Sequence, residues 1–419
     1  MKAYKSDKIR NVGVVAHGSA GKTSIVEAFL YTTGAVNRLG RVDDGSTTGD
    51  FEPEEIKRKV TISASLAPCE WRDHKINFID TPGYSDFVGE VKETLRAVDS
   101  VLVVLCAAAG VEVQTEKVWQ YAAEQGLPRL AVVNKMDREN ASFDQVLDEM
   151  RASFGPHVFP IQLPIGQESA FAGVVDLVSM KAYVPKGNDC IEQPIPADME
   201  ETAALAREEL IEAVAEADDD VLTKYLDGAA LSEEEIIHCL LQGIKSATIF
   251  PVFCAKEIKN IGMRRLLDAI IDYLPAPTER PVTVLDRKTE EPSALPVDDK
   301  LAALVFKTTT DPFVGRLNFF RVFSGTMKPD TMLFNVTKSK QERVGNLFTL
   351  RGKQQLPLTE IVAGDIGVVA KLQETGTGDT VAEKELPYLF APIEFPKPMY
   401  SMCIEAKSKN DEDKIGQAL

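Results

Sequence analysis

Cysteine is scarce in this sequence, and its spacing excludes two common roles. Six cysteines occur among 419 residues, and no two of them form a Cys-x-x-Cys pair. Their spacings match neither a zinc site nor a dense disulfide framework. Scattered cysteines with mostly apolar flanks are typical of proteins in a reducing compartment, so we expect free thiols and a cytoplasmic location.

Long apolar runs are also missing. The longest, VLVVLCAAA at residues 101–109, is too short to span a bilayer and is typical of a fully buried strand. Residues 1–15 contain neither the apolar core nor the cleavage site of a secretory signal. We therefore expect no membrane partner and no secretion.

An excess of positive charge is absent as well. The formal net charge of −17 argues against a non-specific nucleic-acid binder, and no DNA partner is expected. Part of the excess lies in residues 198–220, where ten acids accompany a single base, Arg207. We interpret this segment as a solvated helical face rather than a docking surface.

Strand and helix patterns alternate through residues 10–155 and resume at 251–274. Such alternation predicts a parallel sheet covered by helices on both faces. Residues 158–250 interrupt it with short strand patterns followed by helices, one of which begins at a capping box, Ser232 to Glu235. We therefore expect an α/β P-loop domain that carries an inserted α+β subdomain.

The proline-rich segment PAPTERP, residues 275–281, predicts a domain boundary. Beyond it, short β patterns separated by turns predict a small all-β barrel. The final residues begin a strand and a helix that belong to a further α+β domain. The predicted domains are residues 1–280, residues 281–395 and the truncated start of a third domain, residues 396–419.

The segment AHGSAGKT, residues 16–23, follows the strand pattern NVGVV and has the spacing of a P-loop, with Ala16 in place of the usual first glycine. A glycine-containing turn before a helix lets backbone N–H groups converge on phosphate oxygens. Lys22 would then contact the β- and γ-phosphates, and Thr23 would offer its hydroxyl to Mg²⁺. A plain strand-to-helix turn with a surface lysine is the disfavoured alternative.

The segment DTPGYSDF, residues 80–87, ends another strand pattern. Asp80 lies where open α/β sheets bind ligands, and its carboxylate could hold Mg²⁺ through a water. Gly83 could bring its backbone N–H against a terminal phosphate, a contact that a triphosphate makes and a diphosphate loses. Alone the segment would indicate a Pro-Gly turn, but after a P-loop it predicts a γ-phosphate sensor.

The segment NKMD follows a third strand pattern and predicts the choice of base. Asp137 would accept hydrogens from guanine N1 and N2 together, a pair that adenine does not offer, and such a buried mismatch can discriminate by ~10⁴ or more. Asn134 would bond the other edge of the base, and Lys135 would pack over it. An Asx-type turn is the alternative interpretation.

A long polar loop precedes the segment RKVTI and is a candidate switch. Thr61 in this segment would offer Mg²⁺ a second hydroxyl, ordered only with a triphosphate bound. The alternative is an ordinary strand entering SASLAPCEW.

The set AHGSAGKT, DTPGYSDF and NKMD, with FEPEEIKRKVTI between the first two, resembles elongation factor G, a family of ribosome-dependent translational GTPases. CAAAGVEVQTEKVW and LLDAIIDYLPAPTERP also resemble its G domain, and GRLNFFRVFSGTMKPD its β-barrel second domain. PKPMYSMCIEAKSKNDEDKIGQAL resembles the start of its third domain. The resemblance covers essentially the whole chain and implies that the fourth and fifth domains of the family are absent from it.

Together with the motifs, the resemblance implies GTP or GDP and Mg²⁺ as cofactors, and the ribosome, through its rRNA and large-subunit proteins, as the partner of a monomer. The residues expected to act in hydrolysis are Tyr84, Gly83 and Lys22, and those expected to bind the metal are Thr23, Thr61 and Asp80. The residues expected to contact the nucleotide are Ala16, His17, Gly18, Ser19, Ala20, Gly21, Lys22, Thr23, Ser24, Asp80, Thr81, Pro82, Gly83, Asn134, Lys135, Asp137, Cys254, Ala255 and Lys256.

Several positions depart from the family pattern. The family carries His where Tyr84 stands; that His positions the attacking water, whereas a phenol is a poor base at neutral pH. It carries Asp, linked to a bound monovalent cation, where Ser19 stands, and Gly where Lys59 stands. The loop at Cys254 lacks the usual Ser-Ala. His17, although inside the P-loop, is interpreted as a packing residue rather than a catalytic one.

These departures resemble a divergent branch of elongation factor G-like paralogues. Our hypothesis from the sequence is a factor that binds GTP and the ribosome, promotes a translocation-type step and hydrolyses GTP slowly. A nucleotide-gated binding module with negligible turnover is one alternative. A ribosomal-protection or release-type GTPase is another, and Asp137 disfavours an ATPase.

Overall fold

The computed structural model describes residues 2–187, 189–296, 300–311 and 314–418. The first α/β part contains β1 (Ile9–Val15), α1 (Lys22–Thr32), α2 (Pro53–Arg58), β2 (Ser65–Trp71), β3 (His74–Asp80), α3 (Val88–Ala97), β4 (Ser100–Cys106), α4 (Val113–Glu124), β5 (Arg129–Asn134), α5 (Phe143–Phe154) and β6 (Val158–Pro160). The inserted part contains β7 (Gln162–Ile165), β8 (Gly173–Asp176), β9 (Lys181–Lys186), β10 (Asp189–Gln193), α6 (Glu200–Ala215), α7 (Asp219–Leu226) and α8 (Glu233–Lys245), after which β11 (Phe250–Cys254) and α9 (Met263–Tyr273) return to the α/β part.

The remaining elements are almost all strands. They are β12 (Thr283–Asp286), β13 (Pro292–Ala294), β14 (Ala302–Asp311), β15 (Gly315–Ser324), β16 (Thr326–Met327), β17 (Met332–Asn335), β18 (Lys340–Arg343), β19 (Leu347–Arg351), β20 (Gln354–Leu358), β21 (Ile361–Val362), β22 (Ile366–Ala370), β23 (Thr380–Ala382), β24 (Tyr388–Phe390) and finally α10 (Lys409–Ala418). The α/β part, its insertion and the β-rich part after it confirm the fold class expected from the sequence.

The central sheet has the strand order β2-β3-β1-β4-β5-β11-β6. Strands β3 and β4 flank β1 in parallel, and every residue of β4 is buried, as the apolar run predicted. The sheet is parallel, as expected, except at one edge, where β2 pairs antiparallel to β3. The two strands are joined by Arg72 and Asp73, both with positive φ, and a two-residue turn of this kind can connect only antiparallel neighbours.

The insertion is built as an antiparallel sheet followed by helices. Its strands lie in the order β10-β9-β8-β7, and α6 packs against both α7 and α8. Helix α8 begins at the capping box predicted from the sequence: Ser232 accepts from the Glu235 N–H, and the Glu235 side chain accepts from the Ser232 N–H. Because β6 and β11 are neighbours in the central sheet, the insertion leaves and rejoins that sheet at adjacent strands.

The β-rich part is an antiparallel sheet in the order β18-β17-β23-β14-β15-β22-β19-β20. Side chains from strands far apart in this order share one buried cluster, among them Leu333 of β17, Phe320 of β15 and Leu347 of β19. Strands that are distant in the order can meet in one core only if the sheet curls around it. This second part is referred to below as the β domain.

A buried polar network joins the β domain to the central sheet. Arg321 donates to both oxygens of Asp99 at 2.8 and 2.9 Å, and Lys75 donates to both oxygens of Asp365 at 2.8 and 2.7 Å. Asn11 of β1 donates to Asp99 at 2.7 Å. Buried charges are tolerated when they are paired and hydrogen-bonded, so this interface specifies how the two parts meet.

Two expectations from composition concern thiols and membranes. All six cysteines are free, in agreement with the sequence analysis. No helix in the described ranges has the length and apolar character needed to cross a membrane.

Candidate nucleotide-binding site

A cavity of about 330 Å³ opens where the central strands of the sheet end. Its walls come from the loop after β1, the loop between α1 and β2, the segment after β3 and the loops after β5 and β11. Open α/β sheets bind ligands at this edge. The lining residues are Gly18, Ser19, Gly21, Lys22, Thr23, Ser24, Leu39, Gly40, Arg41, Val42, Asp43, Asp50, Lys59, Val60, Thr61, Gly83, Tyr84, Lys135, Arg138, Glu257 and Ile258.

The phosphate loop, residues 16–23, connects β1 directly to α1. Gly21 precedes the helix with φ of 102°, and a β-carbon at this position would overlap Nδ2 of Asn134. Ser19 also has a positive φ, of 64°. Alternation of this kind turns successive backbone N–H groups toward one point at the positive end of the helix, which is an anion site.

Lys22 places its ammonium inside the site rather than in solvent. The side chain is buried and donates to the His17 carbonyl at 3.1 Å. Burial lowers the pKa of Lys22 to about 8, opposed by the charges of Asp80 and Asp50. Within the described ranges a neutral carbonyl is the hydrogen-bond acceptor of this ammonium, so its remaining N–H groups can donate to an anion in the cavity.

Asp80 at the end of β3 is the complementary group. It is fully buried, and neither carboxylate oxygen has a hydrogen-bond partner of ordinary geometry within the described ranges, although the nearby Lys22 ammonium and Thr23 hydroxyl lower its pKa. Burial and the nearby charge of Asp50 raise the pKa of Asp80 to about 7. A buried carboxylate without donors is costly unless a cation or a bound water satisfies it.

The two threonines expected to bind metal lie together. The hydroxyl oxygens of Thr23 and Thr61 are 2.9 Å apart, and Thr61 donates to Asp50 at 2.8 Å. Two hydroxyls and the Asp80 carboxylate form an oxygen-only donor set of the kind that Mg²⁺ prefers, so these residues fit that ion. Asp50 is a site residue that the sequence analysis missed, because nothing in its spacing distinguishes it from the other acids of the same loop.

The switch loop, residues 40–64, is held on its inner side by Glu27 of α1. The Glu27 carboxylate accepts from the N–H groups of Gly40 and Thr48 and from the Thr48 hydroxyl. Burial raises the pKa of Glu27, while these hydrogen bonds lower it. The loop is therefore anchored to the helix that begins at the phosphate loop.

The β domain contacts the switch loop at Thr48 and at its C-terminal end. At the turn between β19 and β20, a β-carbon on Gly352 would overlap the Thr48 carbonyl oxygen. Lys307 of β14 donates to the Ser63 hydroxyl at 2.6 Å, to the Ala64 carbonyl at 2.8 Å and to Glu90 of α3. The two contacts lie on either side of Thr61 in the chain.

The segment after β3 lies directly against the phosphate loop. Thr81 is buried and donates to the Val14 carbonyl at 2.7 Å, and Pro82 is buried beside it. A β-carbon on Gly83 would lie 2.8 Å from Gly18 N and would overlap Lys22 Nζ. Only glycine fits at position 83, as the interpretation of this segment as a phosphate contact requires.

The side chains of the NKMD segment tie it to the phosphate loop. Asn134 donates to the Ala20 carbonyl at 3.3 Å, and Lys135 donates to the Ser19 carbonyl at 2.5 Å. The Asn134 Oδ1 atom is buried and has no partner within the described ranges. The segment can therefore position the phosphate loop as well as face a base.

Asp137 is paired with a residue of the loop after β11. Its carboxylate lies 2.6 Å from Nζ of Lys256, whose side chain is only 7% exposed. Cys254 ends β11, and the Ala255 N–H bonds the Val133 carbonyl at 2.9 Å. This loop is thus placed beside NKMD, although none of these four residues lines the cavity in its present shape.

Other expected residues fall behind the cavity wall. Ala16 and Ala20 are buried in the phosphate loop without lining the cavity. His17 points away toward α4, with Nε2 3.2 Å from a Glu112 oxygen. Glu257, Arg138 and Arg41 line the cavity and were not identified from the sequence.

The fold and this site define a GTP-binding domain of the translation-factor class. The family described as elongation factor Tu GTP binding domain matches residues 7–276, and the family described as elongation factor G domain 2 matches residues 300–384. The chain belongs to the elongation factor G family of translational GTPases. It is therefore a GTPase-family protein with a guanine-nucleotide site.

One solved relative is a crystal structure of a protein from Thermus thermophilus. The two chains superpose with a TM-score of 0.87 at 34% sequence identity. The match covers 98% of this chain and 60% of the relative, so this chain spans well under two thirds of the protein that it resembles.

Proposed function

We propose that this chain binds GTP with Mg²⁺ and couples hydrolysis of GTP to a translocation-type step on the ribosome. The observation that carries the proposal is a pair of opposite buried charges at the phosphate end of the cavity. The Lys22 ammonium lines the cavity, and the Asp80 carboxylate lies behind it with no hydrogen-bond partner of ordinary geometry on either oxygen within the described ranges. A triphosphate and a divalent cation would satisfy both groups at once.

The phosphates would lie over the phosphate loop, where the backbone N–H groups of residues 18–23 and the Lys22 ammonium converge. Thr23, Thr61 and Asp80 would hold Mg²⁺, with Asp50 fixing Thr61 from behind. The ion, when bound, would neutralise charge on the β- and γ-phosphate oxygens. Gly83 would offer its N–H to the terminal phosphate, which is the contact that distinguishes GTP from GDP.

Guanine would be selected by Asp137, with Lys256 holding that carboxylate in place. Asn134 would meet the other edge of the base, and Lys135 would pack over its face. Cys254 and Ala255 would contribute backbone groups. A carboxylate that accepts two hydrogens from guanine rejects adenine because adenine leaves it unpaired.

In the reaction a water oxygen bonds to the γ-phosphorus, and the bond from that phosphorus to the β–γ bridging oxygen breaks. GDP leaves with the electron pair of that bond, and the proton of the water ends on the phosphate product. Lys22 and the Gly83 N–H would stabilise the charge that moves in this step. Tyr84 would orient the water by hydrogen bonding rather than by removing its proton.

A second candidate is a nucleotide-gated ribosome-binding module with negligible turnover, and Tyr84 favours it because a phenol is a weak base. A third is a ribosomal-protection or release-type GTPase built on the same two domains. A family-like fourth domain with a long tip loop in the full-length protein would favour the first candidate over the third.

We also propose a division into a G domain at residues 1–280, with its inserted subdomain at about 158–250, a β-barrel domain at 281–395 and the beginning of a third domain at 396–419. The proposed partners are the rRNA and large-subunit proteins of the ribosome, approached by a monomer in the cytoplasm. The β domain and the G domain would bind as one unit, because a buried ion-pair network joins them.

Single-turnover GTP hydrolysis by the full-length protein, with and without ribosomes, tests the proposal. Strong stimulation by ribosomes is expected if Tyr84 positions water once the site is assembled. Binding of GTP and ribosomes without stimulation would support the nucleotide-gated module instead. Failure to bind any guanine nucleotide would overturn both.

A further inference from the structure

The Tyr84 ring occupies the space where residue 18 would otherwise carry a side chain. A β-carbon built on Gly18 would lie 3.1 Å from Cζ of Tyr84 and 3.3 Å from both Cε atoms. These separations are shorter than ordinary carbon–carbon contacts, so the ring rests on the Gly18 backbone. Because Cζ carries the phenolic oxygen, the hydroxyl end of the ring is the end nearest the phosphate loop.

Backbone conformation does not explain the glycine at position 18. Gly21 in the same loop has φ of 102°, a value that side-chain-bearing residues rarely adopt, but Gly18 is not among the residues with positive φ. The φ of Gly18 therefore does not by itself require glycine at this position. What a side chain at position 18 would meet is the Tyr84 ring.

The neighbouring contacts fix where the ring lies. Gly83 lies against Gly18: a β-carbon built on Gly83 would be 2.8 Å from both Cα and N of Gly18. The same β-carbon would overlap Lys22 Nζ. Tyr84 remains 42% exposed even so, and it lines the cavity together with these three residues. A half-exposed phenol would normally sample several rotamers, and here one face of it is supported by the phosphate loop.

We propose that Gly18 is a positioning residue for Tyr84: the missing side chain seats the phenol at the phosphate end of the cavity, where its hydroxyl bonds the terminal phosphate or the attacking water. This inference rests on the proposed function, since it assigns Gly18 as the contact that positions Tyr84, a residue of that site that departs from the family pattern. The effect of a substitution at position 18 then depends on the residue at position 84, and the reverse also holds.

The test is a double-mutant cycle of Gly18→Ala, Tyr84→Ala and the double variant. The readout is the ratio of the affinities for a non-hydrolysable GTP analogue and for GDP, measured with fluorescent nucleotides on the full-length protein. A hydrogen bond to a charged group changes affinity by about tenfold or more, so each single variant should lower the ratio about tenfold. The double variant should lose no more than Tyr84→Ala alone, because the ring that Gly18 seats is already gone.

Gly89→Ala is the matched control. Gly89 also lacks a positive φ, and its β-carbon would meet only Phe395 at 3.6 Å, an ordinary contact. The same methyl group should therefore leave the ratio within about twofold of the wild type. A ratio that Gly18→Ala leaves unchanged, or losses that multiply in the double variant, would overturn the inference while the proposed function stands. A wild-type protein that binds neither nucleotide would remove the proposed function itself.

A second measurement does not depend on affinity or turnover. With 3-fluorotyrosine placed at position 84, the ¹⁹F resonance of the nucleotide-free protein reports the surroundings of the ring. Gly18→Ala should shift this resonance and move it toward that of a solvent-exposed fluorotyrosine, and Gly89→Ala should not. An identical spectrum in the Gly18→Ala protein would show that the ring does not rest on residue 18.

Discussion

Tyr84 illustrates how one side chain can separate binding from turnover at the residue scale. Most of the phosphate contacts proposed for the site come from backbone groups and from Lys22, none of which requires a particular residue at position 84. Orientation of the water does require one, and a phenol can hydrogen-bond it without removing its proton. The residue should therefore affect the rate of hydrolysis in addition to the preference for a triphosphate.

Replacing Tyr84 with histidine should speed GTP hydrolysis on ribosomes, because an imidazole titrates near neutrality and also fits the space over Gly18. A gain of roughly 10- to 100-fold in the single-turnover rate is expected from a positioned acid–base group. Tyr84→Phe serves as the control, since it keeps the ring and removes the hydroxyl. An unchanged or slower rate in the histidine variant would contradict the role assigned to position 84.

The role proposed for Asp137 in selecting the base can be tested by a single substitution. The Asp137→Asn variant presents an N–H donor where guanine also presents a donor, so GDP should bind ~10²-fold or more weakly, and xanthosine diphosphate, whose C2 oxygen accepts, should gain. Competition titrations with the two nucleotides measure this exchange. Lys256→Met removes only the ion-pair partner of Asp137. It should weaken GDP binding without creating a preference for the xanthine nucleotide.

Lys59 adopts a backbone conformation that favours glycine. It ends α2 with φ of 57° and ψ of 38°, and this left-handed conformation is costly for any residue with a β-carbon. Lys59→Gly should therefore raise the free energy of unfolding by about 0.5–1 kcal/mol in urea titrations without nucleotide. Lys57→Gly, inside the same helix and exposed, should lower it by about the same amount. Destabilisation by Lys59→Gly would mean that its ammonium contributes more than the strain costs.

At the scale of elements, α3 carries a half-buried glutamate, Glu93, near Lys307 of the β domain. Burial and the charge of Glu90 raise the pKa of Glu93 to about 7, while Lys307 lowers it. The Oε2 atom of Glu93 is buried without a partner in the described part of the chain, whereas the Glu90 carboxylate accepts from the Ala64 N–H and from Lys307. Glu90 and Glu93 lie one helical turn apart, and of the two only Glu90 has a hydrogen-bonded cation beside it within the described ranges.

Stability should therefore fall as Glu93 ionises. Its folded-state pKa lies above the unfolded value, so its contribution is fully present below the unfolded pKa and is lost as pH rises through about 7. Glu93→Gln has no ionisable group at this position. In urea titrations its free energy of unfolding should exceed that of the wild type by more at about pH 8 than at about pH 5.5. Glu208→Gln, on an exposed face of α6, should show no such gain. A gain that is equal at both pH values would contradict the assignment.

Elements and motifs differ in how far sequence could predict them. Strands β1, β3, β4 and β5 and the helices between them follow from apolar periodicity, and the phosphate loop follows from its glycine spacing and flanking elements. The antiparallel edge at β2 depends on the backbone of two turn residues, Arg72 and Asp73, which do not form a typical turn pair. Asp50 and Glu27 join the site only through contacts across the fold, and no local pattern marks such contacts.

At the scale of the whole molecule, the interface between the two parts rests on buried ion pairs. Arg321 and Asp99 have side chains that are 2% and 6% exposed. Removing one partner leaves the other charge buried and unpaired, whereas replacing both with apolar residues removes the desolvation cost as well. A single substitution should therefore lower the free energy of unfolding more than the double substitution does.

Arg321→Met should lower the free energy of unfolding by about 3–5 kcal/mol. The double variant Arg321→Met with Asp99→Leu should lose clearly less than this, as measured by urea unfolding. Arg343→Met breaks a pair at 3.0 Å with Asp330 in which both side chains are at least 70% exposed, and it should cost no more than about 1 kcal/mol. A double variant as unstable as the single one would show that the pair stabilises the interface beyond compensating its own charges.

The contacts of the β domain with Thr48 and Ala64 also have a thermodynamic consequence. If nucleotide exchange moves the switch loop, these contacts must change, so the affinities of the two domains for their ligands are linked. Linkage is reciprocal: whatever factor bound GTP adds to the affinity of the β domain for its partner, that partner must add to the affinity for GTP. A ribosome that holds the β domain in the GTP-bound arrangement would thus slow GTP release by tightening a site that it never touches.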